Sequence, residues 1–345
     1  MRVSKAFRAG FCAALLTIVS YSQAHATNIA ACGTFGSGSY TVTTNISSAG
    51  VSCFIFTSGP VTLDLGGFAV SGSGNSNGVL ANGIADVTVR NGTLKGFARG
   101  IFATGARTVI DGVRSISGTL NAFTVGDNAT IENSLVTAHN AGLAAGKNAM
   151  IAGNKLTGNA GSIIVVSDGS LVKGNTVSNG ITAIQVSQNC KVEGNIVSNC
   201  TFGVTATGSQ NLITGNMISN CSEGIQAGAN TIITANISSN NTDNGIEAGT
   251  DCVISGNNSS NNANVGITSL DRTLFLNNVA NKNGNVGINV NPAGSAIGNV
   301  ADGNISSGIG VSCASKVQAN TALGNGSPNL AESGVGCLNT DNLAP

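Results

Sequence analysis

The chain has 345 residues, of which 15 are basic and 15 acidic, so its formal net charge is zero. Charged residues make up only 9% of it, while glycine alone contributes 48 residues and tryptophan none. A near-neutral chain with scattered lysine and arginine lacks the basic stripe that nucleic-acid binding requires, which excludes that class of partner.

The N-terminus has the pattern of a secretory signal. Arg2, Lys5 and Arg8 precede an apolar stretch at 9–20, which is too short to span a bilayer, and an Ala-His-Ala motif ends at Ala26. We predict cleavage after Ala26, giving a signal peptide of residues 1–26. The remaining chain has 12 basic and 15 acidic residues and no later membrane span, which predicts a soluble protein that is secreted to the periplasm or the extracellular space.

The segment 27–77 differs from the rest of the chain, because it is rich in phenylalanine and lacks a clear repeat. We predict an N-terminal cap with one or two irregular coils here. The segment 326–345 is predicted to be a C-terminal capping tail, since terminal units of repeat proteins are usually atypical.

Between the caps, residues 78–325 repeat with a period of 20 to 22 residues. A Gly-Ile-like step recurs at Gly78-Val79, Gly100-Ile101, Ala122-Phe123, Gly142-Leu143, Ser162-Ile163, Ala183-Ile184, Gly203-Val204, Gly224-Ile225, Gly245-Ile246, Gly266-Ile267, Gly287-Ile288 and Gly308-Ile309. Half a repeat later an asparagine recurs, at Asn133, Asn154, Asn175, Asn195, Asn216, Asn236, Asn257, Asn278, Asn299 and Asn320.

Each repeat has two short apolar alternations and a briefer third one, with no helix-period segment between them. Strands this short can satisfy their backbone only by pairing with the repeats above and below. The pattern therefore predicts an all-β fold, a single-stranded parallel β-helix of about twelve regular coils. Isoleucine and valine fill its interior, and the stacked asparagines form an internal ladder of side-chain hydrogen bonds.

The repeated unit resembles the right-handed parallel β-helix repeat of the pectin lyase-like superfamily, in particular its NosD-type and carbohydrate-binding/sugar-hydrolase subgroup. The resemblance covers roughly residues 54–325. It implies a right-handed solenoid whose ligand, if it is a polysaccharide, lies along the outer face of the strand that begins at the Gly-Ile step. The superfamily includes lyases, hydrolases, epimerases, tailspikes and adhesins, so the fold alone does not select an activity.

Strand alternation places the residue after each inward Ile-like residue on the outside. This outward column is predicted to contain Leu80, Phe102, Thr124, Ala144, Ile164, Gln185, Thr205, Gln226, Glu247, Thr268, Asn289 and Gly310. Its polar part, with Gln185, Thr205, Gln226, Thr268 and Asn289, is the predicted ligand-binding strip. Glu247 is its one ionisable residue, whereas glycoside hydrolysis requires two carboxylates.

Three charged residues in the neighbouring turns offer Glu247 a partner. Asp251 or Asp271 would complete an acid–base pair with Glu247, with Arg272 beside them, and the same oxygens would suit Ca²⁺. The alternative is that Asp251 and Arg272, at equal register in adjacent coils, form a surface ion pair, and we favour this interpretation.

Eight cysteines remain after the predicted cleavage. In an exported protein we expect three disulfides, Cys32–Cys53, Cys200–Cys221 and Cys313–Cys337. Cys190 and Cys252 share a register but lie three coils apart, so we expect both to be reduced and partly buried. No spacing typical of zinc is present, and a copper site finds no cluster of cysteine, histidine and methionine.

Two functions remain open. The first, which we favour, is a non-catalytic structural, adhesive or glycan-contacting protein of the cell envelope that uses the polar strip. The second is a polysaccharide-active enzyme, that is, a lyase, glycoside hydrolase or uronate epimerase, with an acidic site around Glu247. The sequence sets neither the ligand nor the oligomeric state.

Overall fold

A computed structural model describes residues 26–345; the predicted signal peptide, apart from Ala26, lies outside the described residues. The described chain is all-β and winds through about 15 turns, in which every strand pairs in parallel with the equivalent strands of the neighbouring turns. Each turn contributes to three long parallel sheets. Within residues 26–345 no helix is long and apolar enough to cross a membrane.

Sheet 1 contains the strands at the Gly-Ile steps. These strands are Gly33–Phe35, Phe54–Phe56, Asn77–Leu80, Arg99–Ala103, Asn121–Val125, Ala141–Ala145, Ile164–Val166, the second half of Thr176–Val186, the second half of Ile196–Ala206, Glu223–Ala227, Ile246–Ala248, Ile267–Ser269, Ile288–Val290, Ile309–Ser312 and Leu330–Ser333.

Sheet 2 follows in each turn. Its strands are Thr27–Ile29, Gly38–Val42, Val61–Asp64, the first half of Val87–Lys95, the first half of Val109–Ile116, Thr130–Glu132, Met150–Ala152, Leu171–Lys173, Lys191–Glu193, Leu212–Thr214, Ile232–Thr234, Val253–Ser255, Leu274–Leu276, Ser295–Ile297, Lys316–Gln318 and Leu338–Thr340.

Sheet 3 completes the turn. It consists of Ile46–Ser47, Ala69–Ser71, the second halves of Val87–Lys95 and Val109–Ile116, Leu135–Thr137, Lys155–Thr157, the first halves of Thr176–Val186 and Ile196–Ala206, Met217–Ser219, Ile237–Ser239 and Asn258–Ser260. Single bridges continue this sheet from Asn258 to Val279, Val300, Thr321 and Leu343.

The core is a stack of inward apolar side chains, one from each strand. In sheet 1 the column Ile184, Val204, Ile225, Ile246 and Ile267 is completely buried. Burying one such side chain stabilises the fold by about 1.5–3 kcal/mol, and each turn adds at least two. The repeat therefore builds one continuous hydrophobic core along the whole rod.

The predicted asparagine ladder is present in the bend between sheets 2 and 3. The Asn195 backbone N–H donates to Asn216 Oδ1 at 2.9 Å, and the Asn216 N–H donates to Asn236 Oδ1 at 2.9 Å. The Asn216 Nδ2 group also donates to the Val192 carbonyl oxygen at 3.0 Å. Each buried amide thus satisfies backbone groups that the bend would otherwise leave unpaired.

In the first turn of the predicted ladder, the buried position lies one residue later in the chain than predicted. Asn133 is exposed and has a φ of 52°, so it occupies the left-handed position of the bend, where glycine stands in most other turns. Its neighbour Ser134 takes the buried ladder position, and its N–H donates to Asn154 Oδ1 at 2.9 Å. The prediction was wrong here because asparagine suits both positions equally well.

Both ends of the chain continue the coil. The strands at 33–35 and 54–56 pair in register with those of sheet 1, and Leu330–Ser333 pairs with Ile309–Ser312. Phe35, Tyr40 and Phe56 form an aromatic cluster in the first turns, with ring centroids 5.1–5.9 Å apart. Strands within both predicted cap segments therefore pair in register with the neighbouring turns of the solenoid.

Candidate functional site

The predicted outward column is continuous on sheet 1. Gln185, Thr205, Gln226, Glu247, Thr268 and Asn289 pair one with the next in six successive turns. Gln226 is exposed and the other five are partly exposed. Because neighbouring strands are about 4.8 Å apart, the column places one polar side chain at each step of that length along the rod.

One member of the outward column was assigned wrongly. Ile164 is completely buried, and it pairs with the inward residues Leu143 and Ile184. The outward residue of that turn is Val165, which pairs with Ala144 and Gln185. The turn between Gly142 and Ile163 is one residue longer than we assumed, which moves the register by one and exchanges the two faces of the strand.

A groove lies over the middle of the column, with a cavity volume of about 360 Å³. Its walls come from three turns and one residue of the next; they are Thr205, Ala206, Thr207, Gln226, Ala227, Gly228, Glu247, Ala248, Gly249 and Leu270. None of these residues is basic. Leu270, 58% exposed, forms one end.

A second carboxylate, Glu223, lies beside Glu247. Glu223 begins the strand of the preceding turn, is only 9% exposed, and its Oε1 atom has no hydrogen-bond partner among the described residues. Burial, followed by a hydrogen bond with Glu247 and the negative charges of Glu247 and Asp243, raises the pKa of Glu223 to about 7. Glu223 therefore exchanges its proton near neutral pH.

The strand geometry explains why Glu223 faces outward. A Cβ on Gly224 would point inward, 2.0 Å from Ser238 Oγ, and Ile225 also points inward. Two consecutive inward positions break the alternation, so both Glu223 and Gln226 face the outside. The sequence analysis missed Glu223 because it followed only the residue after each Gly-Ile step. The position before each Gly-Ile step could have indicated Glu223, because Glu223 and Arg99 are the two ionisable residues at that position.

Two asparagines hold the acidic residues in place. Asn244 Nδ2 donates to Glu247 Oε2 at 3.3 Å, while Asn244 Oδ1 accepts from the Val265 N–H at 3.2 Å. Asp243 Oδ1 accepts from Asn264 Nδ2 at 2.9 Å. Glu247 is thus oriented by a neutral donor, and among the described residues no ion pair with a lysine or arginine offsets its charge.

The other predicted acidic partners are not gathered with Glu247. Arg272 Nε and Nη2 donate to the two carboxylate oxygens of Asp251 at 2.7 and 2.8 Å, in the turn after sheet 1. This is the surface ion pair that we favoured. Arg272 lowers the pKa of Asp251, and Asp251 raises the pKa of Arg272. Asp271 lies in the same turn of the next coil, and in residues 26–345 its side chain makes no hydrogen bond or ion pair with Glu247.

Of the three expected disulfides, the structure contains Cys32–Cys53 and Cys313–Cys337. Cys200 and Cys221 are buried free thiols in adjacent turns, and Cys190 and Cys252 are also free and buried. A hydrogen bond between the sulfurs lowers the pKa of Cys200 to about 7 and raises the pKa of Cys221. The pair is therefore in contact without being bonded.

The comparisons with known proteins agree with the fold. The model of a family described as periplasmic copper-binding protein (NosD) matches residues 107–247 and 163–297, together more than half of the chain. The chain belongs to the NosD family. Its right-handed parallel β-helix is that of the pectin lyase-like superfamily, as the resemblance implied. No curated protein matches the chain significantly.

Two solved structures illustrate what this NosD-family chain is similar to. The A-module of the mannuronan C-5 epimerase AlgE4 of Azotobacter vinelandii is 14% identical, with 88% of this chain and 90% of that chain covered and a TM-score of 0.51. The tailspike protein of E. coli bacteriophage HK620, solved in complex with a pentasaccharide, is 14% identical, with 91% and 71% covered and a TM-score of 0.54. At this identity the likeness shows the fold alone.

The family's description refers to copper, and the described residues do not fit such a centre. Within residues 26–345, the one group of three cysteine, histidine or acidic donors that converge is Cys313, Glu332 and Cys337, and both cysteines are consumed by their disulfide. His139 is buried with Ser115 Oγ 3.1 Å from its Nε2 atom, and burial lowers its pKa. We base no part of the function on copper.

Proposed function

We propose that this NosD-family protein is an exported, non-catalytic β-helix protein of the cell envelope that contacts a glycan along sheet 1. The supporting observation is the in-register polar column from Gln185 to Asn289, which borders the groove at Glu247. Its side chains stand about 4.8 Å apart, a spacing comparable with one sugar ring, so an extended polysaccharide can meet one polar group per turn.

The groove has the composition of a polar glycan site with modest affinity. It contains hydroxyl, amide and carboxylate groups and no aromatic ring. Tyr40, the one tyrosine left after the predicted cleavage, packs on Phe35 and Phe56 in the first turns instead. Binding therefore depends on hydrogen bonds spread over several turns, so the affinity should rise with the length of the oligosaccharide.

Export is supported by three features. The N-terminal pattern predicts a cleavable signal, the family's description places its members in the periplasm, and the disulfides Cys32–Cys53 and Cys313–Cys337 suit an oxidising compartment. Periplasm and cell surface are both consistent with these features.

The test of binding is a glycan array followed by titration calorimetry on the purified mature chain. We expect saturable binding that weakens when Gln226→Ala and Thr268→Ala are combined. The matched control combines Thr214→Ala and Thr234→Ala, two outward residues of sheet 2 in the same region of the rod. Equal loss in both double variants, or no binding to any glycan, would refute the proposal.

A second candidate is the polysaccharide-active enzyme centred on Glu247, and the Glu223 carboxyl is the observation that favours it. A glutamic acid with a pKa near 7 beside a second glutamate can transfer a proton at neutral pH. However, glycosidases use two carboxyls that both face the substrate, about 5–5.5 Å apart in retaining enzymes and about 6.5–9.5 Å apart in inverting ones, whereas Glu223 is buried and is not among the residues that line the groove. The pair therefore suits proton transfer better than glycoside hydrolysis.

An activity screen separates the two candidates. The mature protein is incubated with uronate-containing and neutral glycans, with and without Ca²⁺, and with Glu247→Gln as the comparison. Sugar release or epimerisation that Glu247→Gln abolishes would establish the enzyme and overturn our preference. Binding without turnover in every condition supports the glycan-contacting function. A requirement for Ca²⁺ in this screen would support the cation site predicted from the sequence.

A further inference from the structure

The outer face of sheet 2 has a long apolar column. Each strand of this sheet has a buried central residue between a first and a third residue that face outward. Over seven successive turns the first outward residues pair in register; they are Met150, Leu171, Lys191, Leu212, Ile232, Val253 and Leu274. All but Lys191 are apolar, and Ile232 is 47% exposed. A contiguous apolar surface of this length is typical of a contact with another molecule.

The third outward residues form a second column beside the first, with mostly smaller or polar side chains. In the same seven turns they are Ala152, Lys173, Glu193, Thr214, Thr234, Ser255 and Leu276. In four of these turns a large apolar side chain stands beside a small one, namely Met150 beside Ala152, Leu212 beside Thr214, Ile232 beside Thr234 and Val253 beside Ser255. The face therefore has a ridge along the first column and a furrow along the third.

We propose that the outer face of sheet 2 is the interface of a homodimer in which two copies of the chain lie side by side with their rods parallel. The two-fold axis runs along the rods between the two faces, so the first outward residue of each strand meets the third outward residue of the same strand in the second copy. Ile232 then packs against Thr234 of the second copy, and each ridge fills the opposite furrow, as in sheets packed about 10 Å apart. Sheet 1 stays free, so this proposal is independent of glycan binding.

The charges on the face favour this parallel arrangement. Lys191 Nζ and Glu193 Oε2 are 2.8 Å apart on one strand, and both side chains are more than 40% exposed. In the parallel dimer Lys191 faces Glu193 of the second copy and the reverse, so four charges alternate in sign around the axis. An antiparallel dimer centred on Val253 would set Lys191 against Lys316 and ridge against ridge. Like charges and opposed large side chains disfavour that arrangement.

The face has the size that a dimer needs. The ten turns from Thr130 to Lys316 span about 48 Å, and a width of five residues is about 16 Å, so each copy offers roughly 750 Å². A standard interface buries about 800 Å² per partner. A second copy also repeats its side chains at the same spacing over this whole length. None of the outward residues of sheet 2 between Thr130 and Gln318 is aromatic, so we expect a dissociation constant on the order of 10 µM.

Sedimentation velocity of the mature protein between about 1 and about 100 µM tests the interface. We expect the wild type to pass from monomer to dimer over this range. Ile232→Lys buries a charge opposite Thr234 of the second copy and should weaken dimerisation at least about tenfold. The matched control is Ile181→Lys, at an apolar residue that is 51% exposed and lies outside sheet 2, and it should dimerise like the wild type.

A mixing experiment tests the register. Thr234→Glu alone should be as monomeric as Ile232→Lys alone. An equimolar mixture of the two should form dimers, because the introduced lysine then faces the introduced glutamate across the parallel interface. A mixture that stays monomeric while the wild type dimerises overturns the parallel register.

The other outcomes decide the interface itself. A wild type that is monomeric at about 100 µM, a trimer, or a dimer that Ile232→Lys leaves unchanged overturns the proposal. A monomeric wild type that binds vesicles of phosphatidylethanolamine and phosphatidylglycerol, and loses this binding in Ile232→Lys, would assign the face to a membrane surface instead. Thermal unfolding confirms that each variant is folded.

Discussion

Glu223 and Glu247 lie on adjacent turns of sheet 1, and Glu247 contributes to raising the pKa of Glu223. Glu223 therefore keeps its proton to a higher pH than an ordinary glutamate does. Sheet 1 produces this arrangement by stacking Gln226 on Glu247 and by turning Glu223 outward at the irregular step through Gly224. The raised pKa of Glu223 gives the protein a measurable pH dependence.

The stability of the protein should fall as the pH rises toward and through the pKa of Glu223. This pKa is about 7 in the folded state, raised by burial and by Glu247 and Asp243, against 4.5 for an ordinary glutamate. The folded chain therefore holds a proton that the unfolded chain releases, and the free energy of unfolding declines between about pH 5 and about pH 8. Because Glu223→Gln cannot ionise at this position, its melting temperature should rise relative to that of the wild type as the pH increases over that interval.

Thermal unfolding of both proteins across this pH range provides the measurement, and Glu193→Gln controls for surface charge. A constant difference between wild type and Glu223→Gln at every pH would contradict the raised pKa of Glu223.

Asn216→Ala should destabilise the protein by about 2–4 kcal/mol, because it removes a buried ladder amide. The change leaves the Val192 carbonyl oxygen and the Asn195 N–H without their partner, and each unmet buried group costs about 1–3 kcal/mol. Chemical denaturation measures the effect, with Asn28→Ala on the exposed side of the first strand as the control. Similar losses in both variants would show that the ladder contributes no more than a surface asparagine.

The thiols of Cys200 and Cys221 should form a disulfide readily when the protein meets a small disulfide oxidant. The contact between the sulfurs lowers the pKa of Cys200 to about 7, which makes its thiolate the attacking group. Burial raises the pKa of Cys190 and of Cys252, so both should stay reduced. Mass spectrometry of alkylated peptides, before and after oxidised glutathione, distinguishes the two pairs. Oxidation of Cys190 or Cys252 ahead of Cys200–Cys221 would be inconsistent with this order of reactivity.

Arg272→Ala should leave both the melting temperature and glycan binding essentially unchanged. Arg272 and Asp251 are exposed and bind each other at the surface, where ion pairs contribute little and salt screens them. Titration with the preferred oligosaccharide is the measurement, and Arg107→Ala, from the similar surface pair with Asp86, is the comparison. A selective loss of binding in Arg272→Ala would restore the site role that the sequence suggested for Asp251 and Arg272.

The repeat alone predicted most of the fold, because the same pattern of residues recurs at the same register in every turn of a solenoid. Isoleucine or valine at the inward position and asparagine at the bend indicated the stacked parallel strands and the ladder. Errors arose where a local change left the pattern intact. One extra residue before Ile163 exchanged the faces of Ile164 and Val165, and Asn133 occupied a left-handed bend instead of the ladder.

The candidate site was predicted only in part, for a physical reason. Glu247 follows from strict alternation along a strand, whereas Glu223 faces outward because the alternation is broken at Gly224. A pattern of period two cannot indicate a residue that breaks the period. Likewise, spacing alone could not show that Asp251 is held by Arg272 and so does not join Glu247.

Hydroxyl-radical footprinting of the mature protein with a saturating oligosaccharide tests the central claim, that sheet 1 binds a glycan, most directly. The ligand is the one preferred in the titrations. The account predicts protection of side chains at Gln226, Leu270 and the neighbouring outward positions of sheet 1, with sheet 2 residues such as Ile232 unaffected. Protection confined to sheets 2 or 3, or equal oxidation with and without the glycan, would contradict it.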